Sequence, residues 1–397
     1  MDWVYADNNA TTAVAPEVVA AMEEFFRGRF FNPSSMYGPA LEVAGAVKAS
    51  RAAVAEFLGG VEPDEVLFTS CATESNNTAL FGVAAANPGR KHIVTSAVEH
   101  PAVLEPCREL ERRGYEVTRL GVDRHGMIDV REYVRALRED TLMVSLMHAN
   151  NETGVVWPVG EWARIAKATD PGIVFHTDAT QTAGKLPLDL RGAMKDVDLL
   201  SFSGHKMHAP KGIGALFVRR GTRLRPFLYG GHQENGRRGG TENTAYIAGL
   251  AAACRLAKTH EADMARVGRL RDGLEAELRR RIPYMEVNGE GRERTPNTLH
   301  LGFHCIEGES ILYGMDEARI CVSTGSACSS GSLEPSHVLR AMGVPGTALQ
   351  GSVRISFSAY STEEDARRIA EALPEVVAQL RRLSPFWDDK AGRPKGG

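Results

Sequence analysis

The sequence predicts an α/β protein with a large domain on a mainly parallel sheet and a smaller C-terminal α/β domain. Three observations carry this. From about residue 64 to 220, short apolar runs alternate with helical patterns. A glycine-rich basic stretch at 221–243, GTRLRPFLYGGHQENGRRGGTEN, then breaks the pattern. Beyond it lie long helical patterns with only a few short strands. Strands alternating with helices of about 10–15 residues imply βαβ units. A parallel sheet built from such units is covered on both faces and takes ligands at the carboxyl ends of its strands.

Glu65–Thr69 reads as the first strand of the series and Thr73–Ala86 as the helix after it. His92–Thr95 is strand-like, Ala102–Arg113 helical and Glu116–Leu120 strand-like. Val130–Arg138 reads as helix, Leu142–Met147 as strand and Trp162–Ala168 as helix. Ile173–His176, Leu199–Ser203 and Gly214–Val218 complete the strands. A long helical region is predicted from about Thr244 to Arg281, rich in charge after His260. Thr298–Gly302 and Val353–Phe357 read as strands, and Glu363–Leu383 as the final helix. The expected division is a large domain over 16–259, a small domain over 260–385 with residues 1–15 packed against it, and a frayed tail at 386–397.

Composition excludes several classes. The 397 residues carry 47 Lys and Arg against 50 Asp and Glu, a net charge of −3, which argues against nucleic-acid binding by bulk charge. Hydrophobic residues at 43% are ample for a globular core and exclude general disorder. No stretch reaches the roughly 18 apolar residues of a membrane span. Ala245–Leu256 comes nearest and is broken by Arg255. The start, MDWVYAD, has no secretory pattern. The six cysteines at 71, 107, 254, 305, 321 and 328 form no CxxC pair, so the expected compartment is a reducing cytoplasm.

The candidate chemistry falls at strand ends. Ser203-Gly-His205-Lys206 follows an apolar strand. A lysine there is usually a solvated cation, yet uncharged it can form a Schiff base with a carbonyl. His176-Thr-Asp178 ends the preceding strand; Asp178 either caps a helix or pairs with a cationic ring nitrogen. Together the two residues suit a pyridoxal phosphate site. Cys71-Ala72-Thr73 opens a helix, where backbone N–H groups and the macrodipole favour a phosphate; an ordinary capping box is the plain alternative. His100 ends a strand and would either sit on the surface or stack on a planar ring and move protons. Asn151 lies in a turn, ANNETG, beside the same cleft. Arg354 is either a surface ion-pair partner or a fork for a substrate carboxylate.

Cys328 differs from the other cysteines. It lies in a Ser/Gly stretch, STGSACSSG, poorly suited to a core and favourable to an exposed, reactive thiol. Cys321, between Ile320 and Val322, reads as buried and structural.

In this order the motifs DNNATT (7–12), FNPSS (31–35), CATES (71–75), EHPAV (99–103), ANNETG (149–154), SGHK (203–206) and RRGGTEN (237–243) resemble the class V aminotransferases, pyridoxal-phosphate enzymes of fold-type I. GSACSSGSLEPSHVLRA is similar to the cysteine desulfurases with the longer catalytic loop, although Thr324 stands where that loop often has Ser. GHKMHAPKG and LRRLSPFW resemble the nitrogenase-associated NifS type more than its housekeeping IscS relatives.

The resemblance implies a two-fold homodimer. It makes Lys206 the Schiff-base lysine, pairs Asp178 with the ring nitrogen and sets Gln181 on the ring oxygen, with His100 stacked on the ring. Ala72, Thr73, Ser203 and His205 would bind the phosphate, and Thr241 would reach the second subunit's phosphate. Asn151 would lie beside cofactor and substrate, and Arg354 would hold the substrate carboxylate. Cys328 would take sulfur from L-cysteine as a persulfide, leaving L-alanine, and pass it to a scaffold that builds iron–sulfur clusters for nitrogenase. No fixed metal is implied, although Cys328 could contact a cluster during transfer. The rivals are another transaminase or lyase on the same fold, which needs no Cys328, and a non-enzymatic thiol or metal carrier, which the lack of CxxC disfavours.

Overall fold

The computed structural model describes residues 2–324 and 335–395, so Cys328 lies outside the described residues. Its main feature is a seven-stranded sheet. Across the sheet the strands run Val66–Thr69, Gly214–Val218, Leu199–Ser203, Val174–Asp178, Thr141–Ser145, His92–Ser96 and Glu116–Leu120. Six run in one direction, and Gly214–Val218 alone is reversed, antiparallel to both its neighbours.

The near-continuous apolar runs follow from coverage on both faces. Successive side chains point to opposite sides. Leu67, Ile93, Met143, Leu199 and Leu216 pack with Leu80, Val83, Val103 and Leu110 from helices Ala72–Ala86 and Pro101–Arg112. Their neighbours Phe68, Val94, Val144, Leu200 and Phe217 enter the opposite core with Leu58, Trp162 and Leu250.

A second apolar cluster joins helices Glu261–Arg281 and Glu363–Leu383 to a three-stranded antiparallel sheet of Ser352–Ser356, Thr298–Phe303 and Met285–Val287. Val4 and Ala6 belong to this cluster. Val4–Tyr5 runs parallel to Ile320–Cys321, and Asp7 bridges to Ser356.

Several expectations need correction. The helical region after Thr244 is two helices, Thr244–Thr259 and Glu261–Arg281, meeting at His260. The apolar first packs on Pro16–Arg27 and Gly38–Phe57, while the charged second packs on Glu363–Leu383. Those two N-terminal helices were not assigned from sequence. Gly38–Phe57 is rich in alanine and valine on most sides, so its apolar stripe is faint. The C-terminal end does not simply fray. Trp387–Asp388 pairs with Arg393–Pro394, and buried Trp387 lies against Tyr284 and under the Arg381 guanidinium. Cys321 is only partly buried, because its short strand pairs on one side with exposed Tyr5.

Candidate active site

Asp178 is the last residue of Val174–Asp178, and Ser203 the last of the adjacent parallel strand Leu199–Ser203. The chain then turns tightly through Gly204–Lys206. Gly204 is required there, since a Cβ would come within 2.9 Å of Ala209 Cβ. Lys206 is thereby aimed into a cleft of about 300 Å³ at the carboxyl ends of the strands. The cleft brings together Ala72, Thr73, His100, Asn151 and Asp178. It also collects Gln181, Ser203, His205, Lys206 and Arg354. Thr241 is exposed and does not line the cleft of its own chain.

Each side chain is held by identifiable partners. Asp178 accepts from Asn76 Nδ2 at 2.7 Å and from the Thr180 N–H at 2.9 Å. Lys206 Nζ donates to the carbonyls of Asn9 and Ala10, both at 2.6 Å. Gln181 Nε2 donates to Asn9 O at 3.2 Å. Asn9 itself is fixed by Thr298 Oγ1 at 2.9 Å and by Asn297 Nδ2 at 2.9 Å.

His100 caps helix Pro101–Arg112, and its Nδ1 accepts from the Ala102 N–H at 3.1 Å. That places the ring proton on Nε2. Burial holds the His100 pKa below the ordinary value, opposed by Asp178 and reinforced by Lys206 and His337. His100 is therefore a neutral donor. Burial, with Lys206, Lys211 and Lys185 nearby, brings His205 down to about 4, so its imidazole is neutral too. Glu99 is fully buried beside His100, and burial pushes its carboxyl up to about 8.

Arg354 is buried, with Nη2 on Asp7 Oδ1 at 2.8 Å and Nη1 on the Asn151 carbonyl at 3.0 Å. Ser336 Oγ donates to Glu152 at 2.6 Å, and the His337 ring donates to the Glu99 carbonyl at 2.9 Å. These two residues follow Cys328 in sequence and are tied to segments that line the cleft.

The residues fit pyridoxal phosphate. Ser203 Oγ is buried with no hydrogen-bond partner among the described residues, an orphan donor beside the helix N-terminus at Ala72 and Thr73. Opposite lies a buried carboxylate, and an amine reaches into the space between. Sequence reasoning missed Asn76, Asn9 and Asp7, which hold Asp178, Lys206 and Arg354 in place. The motifs DNNATT and CATESNN contain all three, but nothing in the motifs alone assigned them a partner.

A cleft of this kind, at the carboxyl ends of a mainly parallel sheet with a lysine and an acid on adjacent strand ends, defines an α/β cofactor enzyme. The aminotransferase class-V family matches residues 4–369. The chain belongs to that family, whose members are pyridoxal-phosphate enzymes. It is 50% identical over 393 residues to a cysteine desulfurase of Trichormus azollae, covering 99% of this chain and 97% of the relative. It is 50% identical over 385 residues to the cysteine desulfurase NifS of Azotobacter vinelandii, covering 97% and 95%. Among solved structures, a NifS-like protein superposes with a TM-score of 0.89 at 37% identity, covering 95% of this chain and 100% of the other.

Proposed function

We propose that the protein is a pyridoxal-phosphate-dependent cysteine desulfurase that converts L-cysteine to L-alanine and collects the sulfur on Cys328. The observation that carries this reading is Lys206 and Asp178 converging from adjacent strand ends in a chain that is half identical, over its whole length, to cysteine desulfurases.

Lys206 would hold the cofactor covalently, with Asp178 at its ring nitrogen, Gln181 at its ring oxygen and His100 over its face. Ala72, Thr73, Ser203 and His205 would take the phosphate. When bound, the cofactor supplies an electron sink for bonds at the substrate α-carbon. Arg354 and Asn151 orient the substrate, with Asp7 fixing the guanidinium plane. The Lys206 amine would be placed to hold and move a proton at the substrate α-carbon. The Cys328 thiolate attacks the substrate sulfur and forms an S–S bond. The electron pair of the broken C–S bond stays with carbon, which is protonated as alanine forms, so no external oxidant is needed. Release of equimolar alanine and reducible sulfur from L-cysteine tests the reading; conversion of a keto acid without sulfur release would sink it.

We infer a homodimer; exposed Thr241, in a partly exposed 231–243 segment flanked by exposed Phe227 and Tyr229, supports it. In it, Thr241 would reach the second subunit's phosphate. A monomer in sedimentation with full activity would refute this. The sulfur acceptor we infer is a scaffold for iron–sulfur clusters, with nitrogenase as the destination; the likeness to the Azotobacter NifS supports it. Normal nitrogenase maturation after gene deletion, with no second desulfurase present, would count against it. No helix among the described residues is long and apolar enough to cross a membrane. The unpaired thiols at 71, 107, 254, 305 and 321 support a cytoplasmic setting.

A further inference from the structure

Lys185 has no part in the mechanism above, yet it is bound to a residue that does. It stands four positions after Gln181 in the turns following strand Val174–Asp178. Its Nζ donates to the Gln181 main-chain oxygen at 3.1 Å and to the Gln181 side-chain oxygen, Oε1, at 3.0 Å.

The second bond removes an ambiguity. A glutamine amide can present either its oxygen or its NH₂ to a given partner. Here Oε1 is taken by Lys185, so Nε2 faces Asn9 O at 3.2 Å, and its second hydrogen remains for the cleft. Reversing the amide would set Gln181 Oε1 against the Asn9 carbonyl oxygen and leave Lys185 without its side-chain acceptor. The same Asn9 carbonyl accepts from Lys206 at 2.6 Å, so Lys185, Gln181, Asn9 and Lys206 form one connected chain of contacts.

Burial, reinforced by Lys206 and Arg354, brings the Lys185 ammonium down to about 7. His205 and His208 also face it. A neutral amine donates two hydrogens, and the two bonds to Gln181 use both.

We propose that Lys185 is a positioning residue that locks the Gln181 amide with its NH₂ toward the cofactor. The proposal rests on the reading that Gln181 contacts the cofactor ring oxygen. A donor at that oxygen stabilises its negative charge most once the nitrogen of the lysine linkage has lost its proton. Losing the donor therefore raises the pH midpoint of that titration.

The experiment titrates the visible absorption band of the holoenzyme against pH in the wild type, Lys185→Met, Gln181→Ala and the double variant. Lys185→Met and Gln181→Ala should each raise the midpoint by about one pH unit, a tenfold change in the acid constant. The double variant should shift no further than either single change. Lys185→Gln keeps an N–H donor and should return the midpoint toward the wild-type value. A wild-type midpoint in Lys185→Met, with a raised one in Gln181→Ala, would overturn the role of Lys185. An additive shift in the double variant would do the same, because it would report loss of a nearby charge and not of the lock. An unmoved midpoint in Gln181→Ala would instead overturn the reading of Gln181, and this inference with it.

Discussion

Asn76 donates its side-chain amide to Asp178 Oδ2 at 2.7 Å, linking the helix that opens at Ala72 to the end of the neighbouring strand. Both residues are buried. The bond fixes the direction of the Asp178 carboxylate while leaving the other oxygen to the Thr180 N–H. One helix thus brings both its N-terminus, at Ala72 and Thr73, and an amide for the acid to the same cleft.

Asp178→Asn should keep the fold and bind cofactor, but lose roughly a hundredfold or more in turnover, as expected when a preorganised charge is neutralised. Steady-state alanine formation from L-cysteine checks it, and near-normal turnover would remove Asp178 from the ring nitrogen.

Lys206→Ala should abolish covalent retention of the cofactor after borohydride reduction. The Ala10 carbonyl would lose the Lys206 donor at the same time, while the Asn9 carbonyl would keep Gln181 Nε2. Mass spectrometry of the reduced protein decides this, and cofactor still fixed to the variant would disprove the lysine assignment.

Cys328→Ser should retain the cofactor and bind L-cysteine, yet make almost no persulfide or alanine, since a serine hydroxyl is a poor sulfur acceptor. Cys321→Ser should keep full transfer and cost at most about 1 kcal/mol, because Cys321 is only partly buried. Radiosulfur transferred from L-cysteine and mapped by peptide would overturn the assignment if it appeared on Cys321.

Glu99 gives a pH signature. Its carboxyl binds a proton more tightly in the folded chain, with a pKa raised from 4.5 to about 8, chiefly by burial. A raised folded pKa contributes stability that is full below the unfolded value and lost as pH rises through the folded one. Stability should therefore decline from about pH 4.5 to about pH 8 through this group. Glu99→Gln keeps an acceptor for the Met147 N–H and the Ser96 hydroxyl, which the wild-type Oε1 satisfies at 3.0 and 2.9 Å. Urea denaturation across that range should show a flatter profile in the variant, and parallel profiles would contradict the buried acid.

Much of the sheet and its chemistry was legible in the sequence. The apolar runs between 64 and 220 are long enough to name strands, because a strand buried on both faces needs apolar residues at every position. Asp178 and Lys206 follow two consecutive runs, so their convergence follows from parallel pairing. The helices at Pro16–Arg27 and Gly38–Phe57 were harder to find. The second is dense in small residues, which blurs the helical period. The rise in charge after His260 marked the boundary at 259/260, but not that the helix is interrupted there, because both flanking segments have helical composition; they pack against different helices.

By itself, the sequence singled out the candidates for chemistry: a lysine and an acid at strand ends, a helix opening with Ala72 and Thr73, an unusual cysteine at 328. The tertiary structure alone decided what holds them. Lys206 meets the Asn9 carbonyl across 197 residues, and Arg354 meets Asp7 across 347. His100 turns out to be a neutral donor because its Nδ1 caps a helix and its ring is buried. Periodicity and short motifs encode local geometry and burial, whereas these partnerships arise only when segments far apart in the chain pack together. The protonation of a buried group then depends on every charge that the packing brings near it.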